Sequence, residues 1–179
     1  MKRIIYFAYF ALAIMFMPGL VFAQQRDYDN TPVDNLDLGR YLGMWYEIAR
    51  FDHRFERDME NVTAEYLLRD DGKIDVINSG WRNGRLKVAN GKARQTEPVS
   101  DPAHLEVSFF GPFYNDYNIL MVDKNYKVAL VGSKSPNYLW ILSRTPRLSD
   151  QILNVILDEA QSRGYDTGKL IWVDQSLNR

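Results

Sequence analysis

Few side chains of this sequence have the types and spacing that acid–base or metal chemistry requires. The two histidines, His53 and His104, lie far apart, and neither stands at a spacing that clusters metal ligands. His53 and Glu56 could act as a general acid and base, but they belong to a charged segment that we expect to border an opening. No serine lies in a G-x-S-x-G elbow, and no glycine-rich phosphate loop is present. The sequence therefore predicts no catalytic residue, no metal site and no cofactor.

The composition excludes several further classes of protein. There is no cysteine, which rules out disulfides, thiolate metal sites and a cysteine nucleophile. The 22 basic and 23 acidic residues give a formal net charge of −1, so there is no electrostatic reason to expect nucleic acid as a partner. The chain has 179 residues, of which 46% are hydrophobic, and this suffices for one domain with a substantial core.

The first 23 residues are typical of a secretory signal peptide. A positively charged start precedes an apolar run over residues 4–17, and Val21-Phe22-Ala23 offers small residues where signal peptidase acts. We expect cleavage after Ala23, with residues 24–179 forming a single exported domain. The alternative is an uncleaved anchor, because the run just reaches the ~20 residues that span a membrane. Since no cysteine follows Ala23 to carry a lipid, the predicted product is a soluble periplasmic or secreted protein, with outer-membrane association left open.

Most of the remaining chain alternates apolar and polar residues with the period of two that is typical of strands. Turn sequences separate these runs, among them Asp70-Asp71-Gly72, Asn83-Gly84 and Asn90-Gly91. Eight or nine such strands can close on themselves as an antiparallel meander and so remove their edges. The predicted strands cover residues 43–50, 62–68, 74–79, 86–89, 92–96, 105–109, 117–123, 126–132, 138–144 and 170–173.

One helix is predicted near the end of the chain. Ser149 is a good N-cap, apolar residues recur at helical spacing from Ile152 to Ala160, and Gly164 ends the element. The apolar stripe of this helix must be buried, and we expect it to pack against the outside of the barrel.

Two distant segments predict that one end of the barrel is closed. Gly43 precedes the strand that carries Trp45, and Arg144 ends a late strand. The tryptophan can fill the floor of a small barrel while the arginine lies over its ring as a cation on a π face. A barrel closed at one end is a cup, and a cup of this size holds a small apolar molecule.

Strand alternation then predicts which side chains face the lumen. Trp45, Glu47 and Ala49 share the inward face of the first strand, and Arg50 is expected on the opposite face. The alternative is that the inward side chains merely fill the barrel, whose interior is only just wide enough for them. The predicted ligand-binding residues are Ala49, Ala64, Tyr66, Val76, Asn78, Val107, Phe109, Tyr117, Ile119, Met121, Ala129, Val131, Tyr138 and Trp140.

Several segments resemble the motifs of the lipocalin family, and of the bacterial outer-membrane lipocalins in particular. The first motif is matched by residues 43–50, the second more loosely by residues 123–126 and 129–131, and the third by residues 143–146. Residues 51–57 and 107–113 are similar to stretches typical of the bacterial branch. The resemblance covers about residues 36–175 of the chain.

This resemblance implies an all-β fold, an eight-stranded antiparallel up-and-down barrel or calyx, with one C-terminal helix packed outside. It also implies a non-catalytic protein that binds, stores or transports lipids, either fatty acids or lysophospholipids, in the bacterial cell envelope. Peripheral membrane association and a homodimer are further implications. The bacterial members usually carry a lipid-anchoring cysteine after the signal peptide, whereas here Gln24 follows Ala23.

Two other interpretations of the sequence stay open. The first is a barrel enzyme that acts on a lipid or a pigment through His53, Glu47 or a tyrosine. The second is a protein-interaction module whose Phe110, Phe113 and Tyr114 form a dimer patch. Binding of a hydrocarbon tail needs little polar chemistry, because each buried methylene contributes ~0.8 kcal/mol. The predicted carrier should therefore have broad specificity.

Overall fold

The computed structural model describes residues 28–178, and the predicted signal peptide at residues 1–23 lies outside them. The strands in this range are β1 (Gly43–Arg50), β2 (Glu60–Leu68), β3 (Ile74–Arg82), β4 (Arg85–Gln95), β5 (His104–Phe110), β6 (Phe113–Val122), β7 (Val128–Gly132), β8 (Leu139–Ser143) and β9 (Ile171–Trp172). The helices are α1 (Leu38–Tyr41) and α2 (Asp150–Ser162), followed by a 3-10 turn (Thr167–Lys169).

Strands β1 to β8 close into a ring. Each strand from β2 to β7 pairs antiparallel with the next strand along the chain, and β1 pairs with both β2 and β8. In β1, Trp45 lies opposite Ala64 of β2, and Glu47 lies opposite Leu142 of β8. The short β9 pairs with the end of β1. The predicted eight-stranded up-and-down barrel is confirmed.

One predicted turn is wrong. Asn90-Gly91 does not separate two strands, because residues 86–89 and 92–96 fall largely within the single long strand β4. Gly91 lies opposite Val76 of β3, and a Cβ at this position would come within 2.8 Å of the Phe109 ring. The glycine is therefore needed for close packing rather than for a turn. Asn83-Gly84 is a true hairpin turn, with φ values of 51° and 70°.

Helix α2 packs against the outer wall of the barrel as predicted. The Ser149 side chain accepts a hydrogen bond from the Ile152 amide at the N-terminus, and Gly164, at φ 87°, follows the C-terminal end. Ile156 and Ala160 are fully buried in an outer apolar cluster that also contains Leu130 of β7. Hydrophobic burial thus holds the helix to the barrel. Within residues 28–178, no helix is both long enough and apolar enough to span a membrane.

Candidate ligand-binding site

The end of the barrel where β1 begins is closed by Trp45 and Arg144. The Trp45 side chain is fully buried, and its Nε1 donates a hydrogen bond to the Tyr41 carbonyl at 2.8 Å. The guanidinium carbon of Arg144 lies 3.7 Å from the centroid of the Trp45 ring, and its Nη2 donates to the carbonyls of Tyr41 and Leu42 at 2.8 Å. Gly43 adopts φ 91°, a backbone conformation that residues with a side chain rarely adopt, and so allows the chain to turn into β1 beside Arg144.

Three tyrosine hydroxyls form a polar cluster in the interior. Tyr117 Oη lies 2.7 Å from Tyr41 Oη and 2.8 Å from Tyr66 Oη. Burial raises the pKa of each of these hydroxyls above its ordinary value, so all three stay neutral. Tyr66 and Tyr117 border the cavity described next, where they can supply polar contacts to a ligand.

A cavity of about 170 Å³ occupies the barrel. Nine of the predicted ligand-binding residues border it: Ala64, Tyr66, Val76, Asn78, Val107, Phe109, Tyr117, Tyr138 and Trp140. The other bordering residues are Glu47, Phe55, Glu56, Asn115, Asp116, Ser133 and Leu142. The wall is thus largely apolar and aromatic, with a small number of polar groups, as is typical of small-molecule sites.

A second cavity of about 450 Å³ continues from the first toward the open end of the barrel. Phe55, Glu56, Asn78, Phe109 and Asn115 border both cavities. Apolar side chains from β2, β4, β5 and β6 extend the lining, and Arg82 and Lys87 provide its basic groups. The two cavities together fall within the roughly 300–1,000 Å³ usual for ligand pockets.

Three of the predicted lumen residues face inward but lie away from the cavity. Ile119, Ala129 and Val131 are fully buried and pack in the same apolar cluster as Trp45. They fill the lower part of the barrel with side chains, and do not border either cavity. For this part of the interior, the interpretation of a filled barrel is the correct one.

The prediction that Ala49 and Met121 face the lumen is wrong, because both side chains point to the outside of the barrel. Both belong to the outer cluster beneath α2, where Ala49 is buried and Met121 packs at its edge. A register shift interrupts β1 between Glu47 and Ala49, and another interrupts β6 between Ile119 and Met121. Such a bulge adds one residue to a strand and reverses the inside–outside alternation beyond it.

The same bulge in β1 turns Arg50 inward, although alternation places it outside. Arg50 is 1% exposed, and its Nη1 donates to Glu47 Oε1 at 2.7 Å. Its Nη2 donates to the Glu56 carbonyl at 2.6 Å and, at 3.4 Å, to that of Met59. Arg50 therefore ties the loop between β1 and β2 to the barrel wall and partly neutralises Glu47.

This loop also brings His53 and Glu56 into the interior. Both are buried, and His53 Nε2 lies 3.0 Å from Glu56 Oε2. Trp140 Nε1 donates to the same oxygen at 3.1 Å. The expectation that this charged segment borders the opening is correct for its position, but these two side chains are not solvated.

Burial shifts the proton equilibria of this cluster. Burial and the nearby Glu56 charge raise the pKa of Glu47 to about 8, against the opposing effect of Arg50. Burial also raises the pKa of Glu56, opposed by the Trp140 hydrogen bond and by Arg50. Burial and the Arg50 charge lower the pKa of His53 to about 4, so the imidazole is neutral near pH 7. Across residues 28–178, no three His, Asp or Glu side chains are grouped so as to hold a metal ion.

Comparison with known proteins agrees with this architecture. The family model of the lipocalin-like domain matches residues 36–175. The chain belongs to the lipocalin family. It is 52% identical over 147 residues to outer membrane lipoprotein Blc of Escherichia coli strain K12, a match that covers 81% of this chain and 82% of Blc.

More distant proteins from eukaryotes are also similar. Temperature-induced lipocalin-1 of Arabidopsis thaliana is 39% identical over 152 residues, covering 80% of this chain and 82% of the plant protein. Among solved structures, insecticyanin from the tobacco hornworm Manduca sexta superposes with a TM-score of 0.69 at 24% identity. That match covers 82% of this lipocalin and 84% of insecticyanin. At this level of identity the likeness shows a shared fold alone.

Proposed function

We propose that this lipocalin is a non-catalytic carrier that binds, stores or transports lipids, fatty acids or lysophospholipids, in the bacterial cell envelope. The observation that carries the proposal is a lipid-sized apolar space above a closed floor. The main cavity is walled by Val76, Val107, Phe109 and Leu142, and it continues into the larger cavity at the open end. An acyl chain can therefore enter from the open end and be surrounded by apolar side chains.

The energetics of such a site suit a hydrocarbon chain. Each buried methylene contributes ~0.8 kcal/mol. About ten of them together supply about 8 kcal/mol, which is the binding free energy of a micromolar complex. This gain depends on how many methylenes of the ligand are buried, and little on which acyl chain carries them. We therefore expect broad specificity toward the tail, with discrimination arising at the polar head.

The matched relatives support a location in the envelope. Blc is named as an outer membrane lipoprotein in several bacteria, among them Citrobacter freundii, with which the chain shares 53% identity over 147 residues. Because the sequence contains no cysteine, we propose a soluble periplasmic or secreted form rather than a lipid-anchored one. Fractionation of cells that express the full chain checks this, and recovery in the outer membrane after a carbonate wash would contradict it.

The exposed apolar rim supports transient contact with a lipid surface. Phe110 and Phe113 are 83% and 74% exposed beside the turn between β5 and β6, close to the opening. Tyr114, the third residue of the predicted patch, instead lies with its ring 4.2 Å from the Arg94 guanidinium carbon. Phe110→Ser with Phe113→Ser should reduce co-sedimentation with phospholipid vesicles. A homodimer through this rim would instead appear as concentration-dependent sedimentation that the same double variant abolishes.

The carrier proposal is tested by quenching of tryptophan fluorescence. Titration of delipidated protein with a brominated lysophospholipid or a brominated fatty acid should quench Trp140, which borders the cavity. Trp140→Phe should remove most of this quenching. Trp172→Phe is the matched control, because Trp172 is 51% exposed on β9 and does not border the cavity. Equal quenching in both variants would contradict binding in the calyx.

The enzyme alternative has its own readout in the same experiment. Mass spectrometry of the lipid recovered after prolonged incubation should return it chemically unchanged. Conversion of the lipid, abolished by His53→Gln, would favour a barrel enzyme that uses the buried His53–Glu56 pair.

A further inference from the structure

One residue at the start of β2 is held by the chain segment that follows β9. The Asn61 amide donates to the Asp174 carbonyl at 2.6 Å, and Asn61 Oδ1 accepts from the Leu177 amide at 2.8 Å. Asn178 Nδ2 donates to the Asn61 carbonyl at 3.4 Å. Asn61 is 4% exposed and adopts φ 52°, a left-handed conformation that asparagine tolerates better than most residues. Residues 173–178, named here the tail segment, thus bind the amide, the carbonyl and the side chain of Asn61.

The tail segment also bridges β1 and β2 where these two strands no longer pair. Their paired residues end at Tyr46 on β1 and Thr63 on β2. Beyond this point, toward the open end, Gln175 Nε2 donates to the Glu47 carbonyl at 2.7 Å and to the Val62 carbonyl at 2.9 Å. One side-chain amide therefore joins the two strands in place of a backbone ladder.

The residues that the tail segment binds adjoin the loop that covers the calyx. This loop, residues 51–59, connects β1 to β2, and its Phe55 and Glu56 border both cavities. Asp58 near its end adopts φ 60°, so it and Asn61 are both left-handed. Residues at the ends of loops and strands are those that absorb the changes in φ and ψ when a loop moves. The contacts to Asn61 therefore restrain the end of the loop about which it could turn.

A second set of bonds restrains the loop from inside the barrel. Arg50 Nη2 donates to the Glu56 carbonyl at 2.6 Å, and Trp140 Nε1 donates to the Glu56 carboxylate at 3.1 Å. Opening of the loop must break this inner set and the outer set at Asn61. Weakening the outer set alone therefore raises the population of the open loop, while the inner set still draws it back.

Little apolar burial holds the tail segment in place. Among residues 173–178 only Gln175 is buried, and Leu177 is 65% exposed. In contrast, every residue of β7 is buried. Segments with few buried apolar contacts open locally at a free energy below that of global unfolding. The tail segment can therefore detach while the barrel stays folded.

We propose that the tail segment is a latch for the loop at residues 51–59, and that its release from Asn61 opens the calyx for lipid exchange. The inference rests on the proposed carrier function and adds to it a device that sets the exchange rate. None of residues 173–178 borders either cavity, so the latch makes no contact with a ligand there. It should thus govern how fast a lipid enters and leaves, and not how tightly the lipid binds.

Stopped-flow fluorescence of the delipidated protein tests the proposal. A brominated fatty acid, used below its critical micelle concentration, quenches Trp140 as it enters, and an excess of the unbrominated acid displaces it. Gln175→Met has a similar volume but cannot donate to the carbonyls of Glu47 and Val62. We expect this variant to raise the association and dissociation rates by about tenfold each, with less than about a threefold change in Kd.

Leu177→Ala is the matched control within the tail segment. It shortens an exposed side chain and keeps the backbone amide that donates to Asn61. Its association and dissociation rates should equal those of the unmodified protein.

A second variant and a measurement on the unmodified protein decide the proposal if Gln175→Met does not fold. Asn61→Gly keeps the left-handed conformation and removes the acceptor of the Leu177 amide, so it should also speed lipid exchange. In the unmodified protein, the Asn61 and Leu177 amides should exchange hydrogen together, with protection at least about tenfold lower than that of the β7 amides.

The outcomes separate the latch from the carrier function. Unchanged rates in the folded variants, or equal acceleration by Leu177→Ala, overturn the latch and leave the carrier standing. Weaker binding without faster association, or exchange of the Asn61 amide only through global unfolding, has the same consequence. Failure of the fatty acid to quench Trp140 in the unmodified protein overturns the carrier function, and the inference with it.

Discussion

The guanidinium of Arg144 stacks on the ring of Trp45 at 3.7 Å, joining the start of β1 to the end of β8 at the closed end of the barrel. The arginine also donates hydrogen bonds to the carbonyls of Met44, Arg40 and Tyr126. Several chain segments therefore converge on one side chain. The closed end therefore depends on a planar guanidinium with several hydrogen-bond donors, and not on positive charge alone.

Replacement of this arginine should destabilise the whole barrel. Arg144→Ala loses the cation–π contact and leaves several carbonyls without a donor, so we expect a fall of about 3 kcal/mol in the free energy of unfolding. Urea unfolding followed by fluorescence measures it. Arg147→Ala removes an exposed arginine three residues away and should change stability little. Equal stability of the two variants would show that the floor does not depend on Arg144.

Loss of one hydroxyl should weaken the tyrosine cluster. Tyr117→Phe leaves the Tyr41 and Tyr66 hydroxyls without the partner that joins them. Since unpartnered buried hydroxyls are costly, we expect the free energy of unfolding to fall by about 2 kcal/mol. Tyr114→Phe is the control, because that ring lies against Arg94 and its hydroxyl has no hydrogen bond among the described residues. Thermal unfolding of both variants under the same conditions distinguishes them.

Much of the barrel was predictable because its sequence cues are local. The turn at Asn83-Gly84, the N-cap at Ser149 and the apolar stripe that contains Ile156 each depend on a few neighbouring residues. The Trp45–Arg144 pair was predictable because a tryptophan after a glycine turn and an arginine at the end of a late strand can together close a small barrel through a cation–π contact. Alternation then placed nine of the predicted ligand-binding residues around the cavity.

The polar wall was not predictable in the same way. Inward placement of Arg50 and outward placement of Ala49 follow from a bulge, and no residue of β1 marks where the extra residue enters. Phe55 and Glu56 reach the cavity from a loop, to which strand alternation does not apply. The charged residues of that loop indicated its position near the opening. The burial of Glu56 depends on Arg50, whose inward direction follows from the bulge, and on Trp140, which is 84 residues away in the sequence.

Truncation beneath α2 should destabilise the protein without affecting the calyx. Ile156 is fully buried between the helix and the barrel, so Ile156→Ala should lower the free energy of unfolding by about 3 kcal/mol. Val155→Ala, one position away and 54% exposed, should cost much less. Lipid affinity of the folded variants should match that of the unmodified protein. A similar loss of stability in both variants would contradict the packing of α2 described above.

The buried histidine should make the fold sensitive to acid. Burial and Arg50 lower the pKa of His53 from its ordinary 6.5 to about 4, so between these values the unfolded chain binds more protons than the folded one. This contribution to stability is therefore complete above about pH 6.5 and is lost as the pH falls toward 4. His53→Gln has no titrating ring and keeps a donor that can reach Glu56. Urea midpoints of the two proteins should converge as the pH is lowered from 7 to 4, because the unmodified protein loses more stability. A constant difference across this range would mean that His53 titrates alike in the folded and unfolded chains.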